Sequence, residues 1–100
     1  MNLRQRKDYI INYINEFLDQ NEAWFDGPGT TFGFDSYNDF VKYQEQSINN
    51  LGEKEIVQLE MLMNLIPMIN LIDMDNMTEQ PSAGFIINKN NKISIYPCLC

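Results

Sequence analysis

The sequence predicts an α+β fold, with about three helices followed by a C-terminal β-hairpin in a single small acidic globular domain over residues 1–100. Three observations lead there. Apolar residues recur at three- and four-residue spacing in three separate stretches between Leu3 and Ile66. Strand-forming Phe-Ile-Ile and Ile-Ser-Ile flank Lys89-Asn90-Asn91 near the end. Gly and Pro fall at separated points that punctuate one continuous chain. Hydrophobic residues are 44% of the 100, and six Phe, five Tyr and one Trp can anchor a core.

From Leu3 to about Asn21, the residues Leu3, Ile10, Ile14, Phe17 and Leu18 form an apolar stripe, with Asp8, Asn12, Asn15, Glu16, Asp19 and Glu22 opposite. Arg4, Arg6 and Lys7 open this helix and acids close it, which opposes the helix dipole and suggests a tertiary or functional reason for keeping them there. Trp24 to Phe34, broken by Gly27-Pro28-Gly29, is a loop in which Thr30–Phe34 can form a short strand. Ser36 with Asp39 resembles a capping box for a second helix, Tyr37 to Asn50, and Tyr37, Phe40, Val41, Gln44, Ile48 and Leu51 continue along one face. Gly52 is expected to cap that helix. Glu53 and Glu55 then start a third, with Ile56, Leu59, Leu62, Leu65 and Ile66 on its apolar side.

Pro67 either kinks this helix or ends it by Ile66, leaving Met68–Ile72 as helical extension or buried strand. Phe85–Asn88 and Lys92–Tyr96 read as a hairpin. A hairpin alone is marginal in water, so it should lie against the helices. A third strand from Thr30–Phe34 or Met68–Ile72 would complete a small antiparallel sheet.

Seven Lys plus Arg against fourteen Asp plus Glu give a net charge of −7, which repels a phosphate backbone and disfavours direct nucleic-acid binding. The apolar run Met61–Ile72, broken by Asn64, Pro67 and Asn70, is too short for a membrane span. The start lacks the apolar core and cleavage site of a signal peptide. Cys98 and Cys100 cannot staple the body of a fold, so a cytoplasmic setting is the simpler expectation. An Asn- and Ile-rich composition accompanies AT-rich coding sequences, as in bacteria and phage.

The chain has no histidine, which removes His-activated nucleophiles, His proton transfer and His-containing metal sites. Asp73-Met74-Asp75-Asn76 fails as a calcium loop, because Met77, Thr78 and Gly84 stand where an oxygen ligand, glycine and glutamate are needed. Gly27, Gly29 and Gly33 lack phosphate-loop spacing. Two cysteines offer at most two soft ligands. The expectation is therefore no enzyme, no cofactor and no metal.

Between Asp8 and Val41 there is no Lys or Arg. Within that window Asp19, Glu22, Trp24, Phe25, Asp26, Phe34, Asp35, Tyr37 and Asp39 combine acids with large aromatics, the composition of anchors rimmed by steering charge. These nine are the candidate partner-binding residues. They point to a small inhibitor of the immunity-protein, antitoxin or phage-encoded type, masking the basic surface of a cationic protein such as a toxin or nuclease. The competing assignment turns the aromatics inward to cap the core and leaves the acids as a solvated face. Five of six methionines lie in 61–77, a segment apolar around most of its circumference. It is either core or the seam of a homodimeric structural or adaptor module.

Overall fold

The computed structural model describes residues 1–22, 33–72 and 84–96, with residues 67–72 described by backbone alone. The elements are α1 (Leu3–Gln20), α2 (Tyr37–Asn49), α3 (Glu53–Ile72), β1 (Gly84–Ile87) and β2 (Ile93–Tyr96). This is the predicted order of three helices and a hairpin. Trp24, Phe25, Asp26, the Thr30–Phe32 part of the proposed strand, the Asp73–Asn76 loop, Met74, Met77, Cys98 and Cys100 lie outside the described residues.

Helix α1 begins at Asn2, whose side chain accepts from the Gln5 N–H at 2.9 Å while the Gln5 side chain accepts from the Asn2 N–H at 3.1 Å. Two otherwise orphaned donors are thereby satisfied. Ile10, Ile11, Ile14, Phe17 and Leu18 are buried, as their spacing requires, whereas Leu3 at the helix end stays exposed. Asn21 ends the helix by donating its side-chain amide to the Phe17 carbonyl at 2.7 Å.

Helix α2 starts at Ser36, whose hydroxyl accepts from the Asp39 N–H at 3.1 Å. Only this half of the expected capping box forms among the described bonds, and the Asp39 carboxylate faces solvent. The helix buries Phe40, Gln44 and Ile48 and ends at Asn50, in a right-handed conformation. Gly52 was expected to cap α2, but it stands at the start of α3. Its carbonyl accepts from the Ile56 N–H at 3.1 Å, and its own N–H donates to the Glu55 side chain at 3.3 Å. With Leu51 alone between Asn50 and Gly52, the glycine serves the helix that follows.

Past Pro67 the backbone of α3 remains helical to Ile72, so Met68–Ile72 is helix and not strand. Proline contributes no N–H to the ladder, and a helix bonds most of its main-chain groups within the segment, without a partner strand. Ile56, Leu59 and Ile66 are buried, but Leu65, expected inward, is 52% exposed.

The strands pair antiparallel with Ile87 opposite Ile93 and Gly84 opposite Tyr96. Their loop is Lys89-Asn90-Asn91. The Asn91 N–H donates to the Asn88 carbonyl at 2.9 Å, the Asn88 N–H donates to the Lys92 carbonyl at 2.8 Å, and Asn91 takes φ 63°, a left-handed value that asparagine tolerates well. Among the described residues the sheet has two strands.

All of β1 is buried. Its free edge faces α2, where the buried Gln44 amide donates to the Ile87 carbonyl at 2.8 Å and accepts from the Ile87 N–H at 2.7 Å. Tyr13 stacks on Phe85 at 5.7 Å and Phe17 lies 6.0 Å from Tyr96, fixing the hairpin to α1. Helices α1 and α2 run antiparallel: Lys7 donates to the Asn49 carbonyl at one end, and the Tyr37 hydroxyl donates to the Leu18 carbonyl at the other.

Two substitutions test this packing. A Cβ on Gly84 would fall 2.5 Å from the Phe17 ring, so Gly84→Ala should destabilise the fold by about 1–3 kcal/mol in urea unfolding. Gln44→Leu keeps the bulk but leaves both main-chain groups of Ile87 unpaired. It should lower stability by about 2–4 kcal/mol, with the Ile87 amide losing protection from hydrogen exchange.

Candidate protein-binding surfaces

The Tyr37–Leu18 hydrogen bond, 3.3 Å long, brings the end of α1 beside the start of α2. Asp19 and Glu22 therefore emerge at the same end of the helix pair as Asp35 and Asp39, and all four are exposed. Among the described residues none of them is in an ion pair. Of the nine predicted contact residues, these four acids, Phe34 and Tyr37 are described, and they share this end. Trp24, Phe25 and Asp26 fall in the undescribed connection.

The two described aromatics are half-buried. Phe34 lies 5.6 Å from Phe40 and 5.0 Å from Tyr43, and Tyr37 lies 6.2 Å from Phe40. Both rings edge the core, with part of each surface open. Lys89, from the hairpin loop, reaches over Phe34 with its ammonium 5.4 Å from the ring centre and donates to the Gly33 carbonyl at 2.8 Å. This cation beside the acidic end was not read from the sequence, because nothing local to Lys89 signals a contact with Gly33.

The opposite end explains the cations at the start of α1. Arg4 donates to Asp8 at 2.7 Å and to the Asn49 side chain at 2.6 Å. Lys7 donates to the Asn49 carbonyl at 2.9 Å, placing positive charge at the C-terminus of α2, where its dipole favours it. Arg6 grips both carboxylate oxygens of Glu60, at 2.9 and 2.6 Å, and reaches Glu53 at 3.3 Å. Unfavourable placement within α1 is thus answered by favourable placement against α2 and α3.

A third feature was absent from the sequence reading. A groove of about 710 Å³ opens between α2, α3 and the hairpin, floored by Leu51, Leu59, Leu62, Ile87 and Ile93 and bordered by Tyr43 and Asn91. None of the six described residues among the nine predicted lines it. On α3, Val57, Met61 and Leu65 are exposed at four-residue spacing, and on β2 so are Ile93 and Ile95. Met63 is half-buried against the core and Met61 is exposed, so the described start of the Met-rich segment is divided between interior and surface.

Among the described residues no group of three His, Cys, Asp or Glu could hold a metal ion, and no helix is long and apolar enough to cross a membrane. No family model, curated protein or solved structure matches the chain.

The Arg6 hydrogen bonds hold the Glu60 carboxyl below its ordinary value of 4.5, against the opposing effect of desolvation. A carboxyl depressed in the folded state contributes stability that is present above the unfolded value and is lost as pH falls through the folded one. Arg6→Gln should return Glu60 to its ordinary titration by NMR. It should also make the loss of stability between about pH 5 and pH 3 less steep.

Proposed function

We propose that this chain is a small acidic protein-binding inhibitor, of the immunity-protein, antitoxin or phage-encoded-inhibitor type, that acts in the cytoplasm by masking the basic surface of a cationic partner. The observation that carries this reading is the separation of charge. Asp19, Glu22, Asp35 and Asp39 are exposed at one end without described ion pairs, while Arg4, Arg6 and Lys7 are engaged at the other. Such an end produces a field that accelerates encounter with a positive surface and fixes its orientation. The open portions of Phe34 and Tyr37 add apolar contact between the carboxylates, and any chemistry belongs to the protein being covered.

A second reading, a homodimeric structural or adaptor module joined through the Met-rich segment 61–77, is favoured by the exposed row Val57, Met61 and Leu65. The two make different demands on salt. Electrostatic capture weakens as ionic strength rises, whereas an apolar seam between two anionic chains does not.

The test uses the immobilised full chain and a variant carrying Asp19→Lys, Asp35→Lys and Asp39→Lys, each challenged with a host extract at about 0.05 M salt and washed at about 0.5 M. The native chain should retain a basic protein that elutes with salt, the variant should not, and the purified partner should lose activity at equimolar inhibitor. Equal capture by both chains, or a captured partner whose activity is unchanged, would refute the masking role.

A further inference from the structure

We propose that β2 is a self-association edge, at which a second copy of this chain adds its own β2 antiparallel to form a continuous four-stranded sheet. The hairpin has two outer edges, and the structure treats them differently. Because the Asn88 N–H donates to the Lys92 carbonyl, the alternation of an antiparallel pair points the main-chain groups of Ser94 and Tyr96 toward β1 and those of Ile93 and Ile95 away from it. The matching outward groups on β1 include those of Ile87, which Gln44 satisfies. Among the described residues, nothing satisfies those of Ile93 and Ile95.

The occupant is set by self-complementarity. With a two-fold axis at Ser94, Ile93 of one copy pairs with Ile95 of the other. All four outward N–H and C=O pairs then bond reciprocally, as an isologous contact requires. The same register gathers four isoleucines on one face of the sheet, each now about two-fifths exposed at 39% or 43%. It sets Lys92 opposite Tyr96, so no like charges meet. Ile93-Ser94-Ile95 carries neither charge nor proline, two of the usual edge protections. Among the described elements, the helices pack chiefly on β1 and β2 is the outer strand.

A four-residue edge buries less than the ~1,200 Å² of a stable interface, so pairing is reversible and concentration-dependent. Each copy carries −7, so screening by salt strengthens it, opposite to capture of a basic partner at the acidic end.

The experiment is sedimentation equilibrium of the full chain, with Cys98→Ser and Cys100→Ser, from about 10 μM to about 1 mM at about 0.05 and 0.5 M salt. A monomer–dimer equilibrium favoured by high salt is expected. Ile95→Lys should weaken it roughly tenfold or more, while Met61→Lys with Leu65→Lys leaves it unchanged. Ser94→Cys, added to the same background, should form a disulfide-linked dimer on mild oxidation, because residues at the two-fold axis face each other, and Asn90→Cys should not. A monomer throughout the range, a dimer lost with Met61 and Leu65 instead of Ile95, or no Ser94→Cys cross-link overturns the proposal. None of these outcomes bears on masking by the acidic end, which is tested with that end altered and β2 intact.

Discussion

The hydrogen bonds between the Gln44 side chain and the main chain of Ile87 are the constraint on which the hairpin depends. Two strands of four residues cannot stand alone in water, and burying all of β1 obliges its outward N–H and C=O groups to find partners. A third strand would ordinarily provide them. Here a primary amide on α2 presents the same donor and acceptor, at 2.8 and 2.7 Å, from a helix that also contributes Phe40 and Ile48 to the core. The amide sets the hairpin's position along α2, since a slip of one residue in either element would leave two buried donors and two buried acceptors unmatched. Gly84 sets its height above α1 by letting the backbone rest against the Phe17 ring.

Charge is arranged with comparable economy. Four of the seven cations, Arg4, Arg6, Lys7 and Lys89, tie elements together, and each reaches a partner more than forty residues away in sequence. Positive charge therefore acts as internal fastening, and much of the acid excess is left for the surface. A chain with the same net charge but its cations on flexible surface positions would show a weaker and less directional field.

Local features were legible in the sequence. The α1 stripe, the Ser36 cap and the Lys89-Asn90-Asn91 loop follow from periodicity and from residues within a few positions of one another. Spacing puts Gln44 on one face of α2 with Phe40 and Ile48, but its partner is 43 positions away and no local pattern identifies it. Gly84 is equally silent until Phe17 is placed beside it. Gly52 misled because a glycine between two helices suits either end, and a single intervening residue decided the matter. For the acidic end, exposure of the four carboxylates followed from polarity. The half-buried setting of Phe34 and Tyr37 did not, because an aromatic in a Gly-rich connection is apolar enough for the core or an interface, and only tertiary contacts choose.

The groove and the β2 edge escaped the sequence reading for a further reason. Ile93-Ser94-Ile95 alternates as a half-buried strand should, and alternation alone assigns the isoleucines to the interior. The structure reverses that face, with Ser94 half-buried beneath an Asn88 hydrogen bond and the isoleucines exposed. Because cross-strand partners share a face, the register that pairs Ile87 with Ile93 and Phe85 with Ile95 places the isoleucines on the face of Phe85 and Ile87, on the outer strand. The exposed isoleucines follow from that register, and the hairpin that completes the interior also presents an apolar face and a strand edge without a partner among the described residues.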